Sequence, residues 1–214
     1  MHLDLLAACK RHAQGRYFVG CPDLIEGLDT LAGMRGTQPV LLDTVDRPEA
    51  LEQELQAIND VWFTVLDAFS QEVAEYGEMS FFYFSIWGPG RVAKLQSDIS
   101  IMISPKNFRR FVQPYIRQQC QWLDYSLYHL DGVGAIRHLD ALLEIEELDA
   151  LQWTPGVGQP QGGDPCWYDL YTVSYTHLRD HETVLELVCR LLHEKKKQTK
   201  TKKLQLYFPR KTKN

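Results

Sequence analysis

The stretch SLYHLDGVGAIRHLDALLEIEELDALQWTP, residues 126–155, decides the fold class. Its first part, Ser126–Gly132, is apolar and β-prone, and it ends at a glycine turn. Residues Ile136–Leu148 repeat their apolar side chains at helical spacing, and Ala150–Pro155 is a second apolar run that ends at a proline. A strand, a helix and a strand in this order form a βαβ unit, whose two strands lie parallel in one sheet.

The same alternation occurs on both sides of this stretch, and it predicts an α/β protein. Apolar runs that predict strands are Arg16–Gly20 (RYFVG) and Met79–Trp87 (MSFFYFSIW). Segments that predict helices are a long one that begins after Asp46-Arg47-Pro48-Glu49, one that opens at Ser104-Pro105 and bends at Pro114, and one that starts at Asp164-Pro165. His138 and Asp140 are predicted to lie on the surface.

Composition excludes several classes of protein. The 214 residues are 44% hydrophobic and 24% charged, which is typical of a globular domain and not of a disordered or collagenous chain. No apolar run approaches the ~20 residues that a membrane span needs. The start of the chain lacks the layout of a secretory signal, and the five scattered cysteines contain no CxxC pair. We therefore expect a cytoplasmic protein without a disulfide framework.

The charge is distributed unevenly. Residues 173–214 hold 11 Lys and Arg against 4 Asp and Glu, whereas residues 1–172 hold 12 against 24. A basic tail on an acidic body can bind nucleic acid or anionic lipid, or it can be a solvated disordered terminus. However, Val173–Lys197 resembles a frame translation of the transposon-end adapter used in sequencing libraries, with a departure at Asp180. This resemblance predicts that 173–214 has no evolved function, and it divides the chain into a body, 1–172, and a tail.

Polar loops follow the predicted strands, and in parallel βα folds the active site lies at these carboxyl ends. The loops are GCPD, WGPGR, HLDG and WTPGVGQPQGG, and neither GxGxxG nor GxxxxGK[ST] occurs in the chain. A phosphate-cradling nucleotide site is therefore not predicted.

One helix and three other blocks carry a family resemblance. The helix start ISPKNFRRFVQPY, residues 103–115, resembles the SPxxFxxFvxPY signature of the uroporphyrinogen decarboxylase superfamily. The GCPD turn, the aromatic strand before Trp87, and the strand that ends in His129-Leu130-Asp131-Gly132 occur in the matching order. The resemblance covers residues 15–172, and it implies a (β/α)8 TIM barrel. Such barrels usually have about 250 residues, so it also implies that this chain holds only part of one and is inactive alone.

The resemblance implies one of two chemistries. The decarboxylases of the superfamily remove acetate carboxyl groups from a tetrapyrrole without a cofactor, with an arginine on the substrate and an aspartate beneath the pyrrole nitrogens. The methyltransferases move a methyl group between a corrinoid partner and a thiol bound to zinc, which is held by a His-x-Cys strand end and a later cysteine. Here His129 and Asp131 stand at the His-x-Cys positions. Residues i and i+2 of a strand share a face, so both can reach one ion.

The candidate site residues each have a structural alternative. His129, Asp131 and Asp98 are the candidate catalytic groups, and the first two are also the candidate metal ligands; they could instead bond within the loops or cap turns. The candidate substrate-binding residues are an arginine that could hold a carboxylate and two aromatic residues that could flank a flat ligand, namely Arg91, Trp87 and Trp153. The arginine could equally be solvated, and the tryptophans could belong to the core.

The resulting hypothesis is a part of a tetrapyrrole decarboxylase, a carbon–carbon lyase that acts on a small molecule in the cytoplasm. Two alternatives stay open: a corrinoid-dependent thiol methyltransferase, and a non-catalytic fragment that binds through its basic tail. Exposed strand edges of an incomplete barrel predict a homodimer or aggregate. We expect no membrane partner and no nucleic acid.

Overall fold

Eight α-helices, six strands and three 3-10 turns make up the part of the chain described by a computed structural model, which covers residues 1–17, 19–73, 78–81 and 86–177. The helices are α1 (His2–Ala13), α2 (Gly27–Arg35), α3 (Thr37–Asp46), α4 (Pro48–Val73), α5 (Pro105–Phe111), α6 (Gln113–Trp122), α7 (Leu139–Leu143) and α8 (Tyr168–His177). The strands are β1 (Gly20–Cys21), β2 (Glu78–Phe81), β3 (Ile86–Pro89), β4 (Val92–Gln96), β5 (Tyr125–Asp131) and β6 (Ala150–Thr154). Single 3-10 turns occupy Asp98–Met102, Val133–His138 and Pro165–Trp167.

Strands β4, β5 and β6 form a parallel three-stranded sheet in that order. Gln96 of β4 pairs with His129 of β5, which pairs with Gln152 of β6. The two crossovers pass through α5–α6 and through α7, so the predicted strand–helix–strand unit of residues 126–155 and the α/β class are confirmed. Among the described residues the strands form two separate sheets.

The second sheet corrects one prediction. The apolar run Met79–Trp87 is not a single strand: β2 and β3 pair antiparallel, with Glu78 opposite Pro89 and Phe81 opposite Ile86. Residues 82–85 between them lie outside the described residues. The run concealed two strands because it is mostly aromatic and contains no glycine, proline, asparagine or aspartate to mark the reversal. Strand β1 pairs parallel with β2.

Strand β4 was missed by the sequence prediction, and its start depends on a glycine. Gly90 adopts φ +79°, and a Cβ at this position would collide with the carboxyl group of Asp124. That carboxyl accepts a hydrogen bond of 2.9 Å from the backbone amide of Arg91. A glycine is therefore required where β3 turns into β4, because other residues would meet both a strained backbone and a steric clash.

The long helix after residue 48 is confirmed as α4, which buries an apolar stripe that includes Leu51, Leu55 and Leu66. The helix predicted from Ser104 is also confirmed at its start, where the Ser104 hydroxyl accepts a hydrogen bond from the amide of Asn107. It divides in two at Val112 instead of bending. Pro114 lacks an amide hydrogen and therefore fits the first turn of a new helix, α6, better than a helix interior.

His138 is buried, which corrects its predicted surface position. The side chain is 1% exposed, its ring stacks on Phe108 with 4.4 Å between centroids, and Nε2 lies 2.8 Å from the carbonyl oxygen of Ser100. The predicted helix Ile136–Leu148 is in fact a 3-10 turn followed by the short α7. The 3-10 turn shifts the helical phase, and His138 consequently faces the core. Asp140 is exposed, as predicted.

The division at residue 172 falls inside α8, which starts after the Asp164 cap and continues to His177. Ser174 is 1% exposed, and its hydroxyl donates to the carbonyl oxygen of Leu170. The remainder of the basic tail, 178–214, lies outside the described residues. No helix in the described ranges has the length and apolarity needed to cross a membrane.

Shortening the chain tests the boundary. A chain that ends at His177 keeps all of α8, so we expect it to melt at the temperature of the 214-residue chain. A chain that ends at Tyr171 loses Ser174 and the last turns of α8, and we expect it to melt lower. Thermal unfolding followed by circular dichroism measures both. Equal melting temperatures for the two shortened chains would show that residues 172–177 do not stabilise the body, and would contradict this prediction.

His138 predicts an acid sensitivity. Burial lowers the pKa of His138, and Arg137 adds to this, while the hydrogen bond to the Ser100 carbonyl opposes it. The unfolded chain therefore binds a proton that the folded chain does not, so His138 stabilises the fold fully above the unfolded pKa and progressively less as pH falls towards the folded pKa. His138→Phe, which preserves the stacking on Phe108, should flatten the loss of stability between pH 7 and 5. Urea unfolding at each pH measures this, and an unchanged slope in the variant would contradict it.

Candidate functional site

The two faces of the β4–β5–β6 sheet differ in chemistry. Side chains alternate along each strand, and paired residues of neighbouring parallel strands share a face. One face is mostly apolar and fully covered; its residues, all buried, are Ala93, Leu95, Ser126, Tyr128, Leu130, Leu151 and Trp153. The other face becomes polar toward the carboxyl ends of the strands; its residues there are Lys94, Gln96, His129, Asp131, Gln152 and Thr154.

His129 occupies the middle of this polar face and is half-buried. Its Nδ1 atom forms a hydrogen bond with Oε1 of Gln152, which lies directly opposite on β6. The amide nitrogen of Gln152 donates to the carbonyl oxygen of Trp153 and to Oγ1 of Thr154, both at 3.0 Å. Because these bonds leave the amide oxygen facing His129, Nδ1 can donate to it, and the contact holds the imidazole ring in one orientation.

Asp98 and Asp131 lie at the same edge of the sheet. Asp131 is the last residue of β5 and is half-buried, while Asp98 begins the 3-10 turn after β4 and is exposed. The Gln96 side-chain amide donates to Asp98 Oδ2 at 3.3 Å. The register Gln96–His129 therefore brings all three candidate catalytic residues, Asp98, His129 and Asp131, to one edge, as the hypothesis requires.

Asp29 holds the turn that carries Asp98. Its two carboxylate oxygens accept the backbone amides of Asp98 and Ile99, at 2.7 and 2.9 Å. Burial raises the pKa of Asp29, although these two amides oppose the rise. Asp29 belongs to α2, so these two hydrogen bonds connect α2 to the carboxyl edge of the sheet.

A buried lysine lies on the same face of β4, two residues before Gln96. Lys94 is 5% exposed, and its ammonium group contacts Asp23 Oδ2 at 2.9 Å and Gln96 Oε1 at 2.6 Å. A buried ammonium ion is costly unless it is paired, so Asp23 is the partner that makes Lys94 tolerable in β4. Asp23 comes from the GCPD turn, which places that predicted loop at the same edge.

Glu26 is the most unusual titratable group nearby. It is 3% exposed, and neither carboxyl oxygen makes a hydrogen bond of ordinary geometry with the described residues. Burial raises the pKa of Glu26 well above its ordinary value; Lys94 and the nearby backbone amide of Gln96 oppose the rise, and the negative charges of Asp23 and Asp29 add to it. Glu26 therefore favours its neutral form unless a cation compensates its charge.

Arg91 lies away from this edge. It immediately precedes β4 and so stands at the amino end of the strand, opposite the carboxyl end that carries Asp98. Its guanidinium group lies 4.2 Å above the ring of Trp122, and Nε is 3.5 Å from Asp124 Oδ2. Arg91 thus stacks on Trp122 and pairs with Asp124 at the amino end of β4.

The two candidate tryptophans are not brought to the polar face. Trp153 is 8% exposed and points to the covered face, where its ring packs edge-on against Trp167 at 5.3 Å. Trp87 belongs to β3, opposite Ser80, and its side chain lies outside the described part of the structure. Trp153 is therefore a core residue, which was the structural alternative to a role in ligand binding.

Sequence reasoning missed Lys94, Gln96, Gln152 and Glu26 as site residues. A signal existed for Lys94, because a lysine between Val-Ala and Leu (VAKLQ) interrupts an apolar run. No local signal identifies Gln152, whose role follows only from the register with His129. The GCPD loop was predicted to face the site, but nothing in the sequence indicated that its aspartate, Asp23, pairs with Lys94.

The residues at this edge were tested as a zinc site. His129 and Asp131 could supply two ligands, whereas a catalytic zinc ion takes three from the protein. The described residues contain no group of three or more His, Cys, Asp and Glu that could hold a metal ion. The described residues at this edge therefore do not complete a zinc site.

Comparison with models of protein families, with curated proteins and with solved structures finds no match to this chain.

Proposed function

We propose that this chain is part of a (β/α)8-barrel enzyme related to the uroporphyrinogen decarboxylase superfamily, and that it acts on a carboxylated tetrapyrrole. The observation that supports the proposal is the convergence of Asp98, His129 and Asp131 at the carboxyl edge of a parallel sheet. This is the edge at which βα enzymes place their catalytic groups.

The two faces of the sheet support the barrel. In a (β/α)8 barrel, helices cover the outer face of the strands, and the inner face lines the lumen. Here the apolar face of β4, β5 and β6 is buried, while Gln96, His129 and Asp131 on the opposite face are half-buried. A polar, partly exposed inner edge is what an incomplete barrel would present.

The carboxylates suit one step of the reaction. In the decarboxylation of a pyrrole acetate, the ring first takes up a proton and becomes cationic. The bond to the carboxylate then breaks, its electron pair flows toward the ring, carbon dioxide leaves, and the remaining carbon takes up a proton. The ring finally gives back the proton that it took up first, so the net reaction consumes one proton. A carboxylate held beside the pyrrole N–H groups stabilises the cationic ring. Asp131 and Asp98 are the residues that we assign to this role.

His129 is suited to moving protons in the same reaction. Gln152 fixes the orientation of its ring, so Nε2 is held in one position at the edge. A neutral imidazole accepts a proton and returns it near pH 7, which matches a reaction that consumes and supplies protons at carbon. We assign His129 as the group that relays protons.

The described edge does not supply a clamp for the substrate carboxylates. Lys94 is buried and paired with Asp23, and Arg91 lies at the other end of β4. We therefore propose that this edge contacts the ring N–H groups of the tetrapyrrole and does not bind its carboxylates.

Ligand binding tests this proposal. We expect the 214-residue chain to bind uroporphyrinogen, and Asp131→Asn to weaken binding by about tenfold or more, because charge-assisted hydrogen bonds are worth ~1.5–3 kcal/mol. Equilibrium dialysis under nitrogen measures the affinity, with the ligand oxidised to the porphyrin afterwards for detection.

Asp140→Asn is the matched control, since Asp140 is an exposed aspartate of α7 outside the edge. It should bind like the unchanged chain. Absence of binding by the unchanged chain, or equal affinities in both variants, would contradict the proposal.

A further inference from the structure

A small cavity lies behind β4, where helices α2, α4 and α6 meet the end of the strand. Its polar lining residues are Glu26, Asn59, Gln96, Ser97, Tyr115 and Gln119, and the rest of the lining is apolar. Its volume is about 10 Å³, which is room for about one particle the size of a water molecule. None of these residues belongs to the edge assigned to catalysis except Gln96.

Four oxygen atoms of the lining have no hydrogen-bond partner among the described residues. They are Oε1 and Oε2 of Glu26, Oγ of Ser97 and Oε1 of Gln119. The three side chains belong to residues that are 3%, 7% and 1% exposed, so bulk water does not compensate them. Buried polar atoms are almost always satisfied in folded proteins, which indicates that an occupant belongs here.

The Gln119 amide is oriented by its neighbours. Its nitrogen donates to Asn59 Oδ1 at 2.9 Å, and the Asn59 nitrogen donates to Gln118 Oε1 at 2.9 Å. This chain of amides turns the Gln119 carbonyl oxygen away from Asn59. Gln119 and the ionised carboxylate of Glu26 therefore offer only acceptor oxygens to the cavity, while the Ser97 hydroxyl can accept or donate.

We propose that this cavity binds one monovalent cation of about the size of water, potassium or ammonium, through the oxygens of Glu26, Ser97 and Gln119. Hard cations take carboxylate, carbonyl and hydroxyl oxygens as ligands. A single charge neutralises the single carboxylate. Magnesium ions do not suit the site, because they keep several bound waters for which a cavity of about 10 Å³ has no room.

A cation can contact all three side chains at once and also neutralise the carboxylate. A proton on Glu26 removes the buried charge and lets the carboxyl donate one hydrogen bond, and the Ser97 hydroxyl can donate another. A water molecule donates two hydrogen bonds but does not neutralise the carboxylate. Burial raises the pKa of Glu26, Lys94 opposes the rise, and Asp23 and Asp29 add to it, so cation and proton compete and cation binding should strengthen as pH rises.

Thermal unfolding of the 214-residue chain tests the proposal. The chain is melted at pH 8 in potassium, ammonium or tetramethylammonium chloride at equal ionic strength. Potassium or ammonium should raise the melting temperature by roughly 3 °C over tetramethylammonium, which is too large for the cavity, since a ligand that binds only the folded state stabilises it. The better of the two ions identifies the occupant.

Glu26→Gln removes the charge and should abolish the difference between the salts, whereas Glu146→Gln, at an exposed glutamate of the same type, should preserve it. Ser97→Ala, which leaves the carboxylate in place, should reduce the difference by more than half and serves if Glu26→Gln fails to fold. Equal melting temperatures in all three salts, or a difference that survives both Glu26→Gln and Ser97→Ala, would overturn the proposal and leave a buried water as the occupant.

Discussion

The parallel pairing of β5 between β4 and β6 is the constraint on which the rest of the described structure depends. Since side chains alternate strictly, a shift by one residue in either pairing would move His129 to the covered face and Leu130 to the polar face. The large apolar side chains Tyr128, Leu130 and Leu95 prevent such a shift, because each is fully buried beneath helices. The same burial that stabilises the sheet therefore fixes which residues meet at its carboxyl edge.

The charged groups near this edge are arranged around Lys94. Removing one member of a buried ion pair lowers the free energy of unfolding by roughly 3–5 kcal/mol, so Lys94 needs its partner. Asp23 compensates it directly, and Asp29 and Glu26 lie close enough for Lys94 to lower their pKa values, against the larger effect of burial. The edge is thus acidic overall, with its one described lysine already neutralised, which suits ligand N–H groups better than anions.

The sequence was sufficient for elements with a strong local signal. The βαβ unit of residues 126–155, the Ser104 cap and the stripe of α4 were predicted correctly, because apolar periodicity and capping residues act within one turn or strand. The run Met79–Trp87 was misassigned as one strand because it is mostly aromatic and contains no glycine, proline, asparagine or aspartate to mark a reversal. His138 was misplaced because a 3-10 turn changed the phase of the helix, and the apolar pattern does not record that change.

The site was only partly predictable for a related reason. Asp98, His129 and Asp131 could be proposed because strand ends are recognisable, and parallel strand ends meet at one edge. Their partners could not be found from the sequence, because the contacts join residues that are distant in the chain. Gln152 is 23 positions from His129, and Asp23 is 71 positions from Lys94. Arg91 was expected in a loop after a strand, but the unrecognised β4 placed it before one, at the opposite end of the sheet.

The two proposed sites lie on opposite sides of one strand end, and this has a consequence for their charges. Gln96 contacts Lys94 and Asp98 at the catalytic edge, and it also lines the cavity that contains Glu26. A cation bound to the ionised Glu26 carboxylate adds no net charge, so Lys94 keeps Asp23 as its counter-ion. Asp29 holds the turn of Asp98 through two backbone amides, and its negative charge raises the pKa of Glu26. A cation that compensates Glu26 would therefore let Glu26 and Asp29 be ionised together, which two uncompensated neighbouring carboxylates resist.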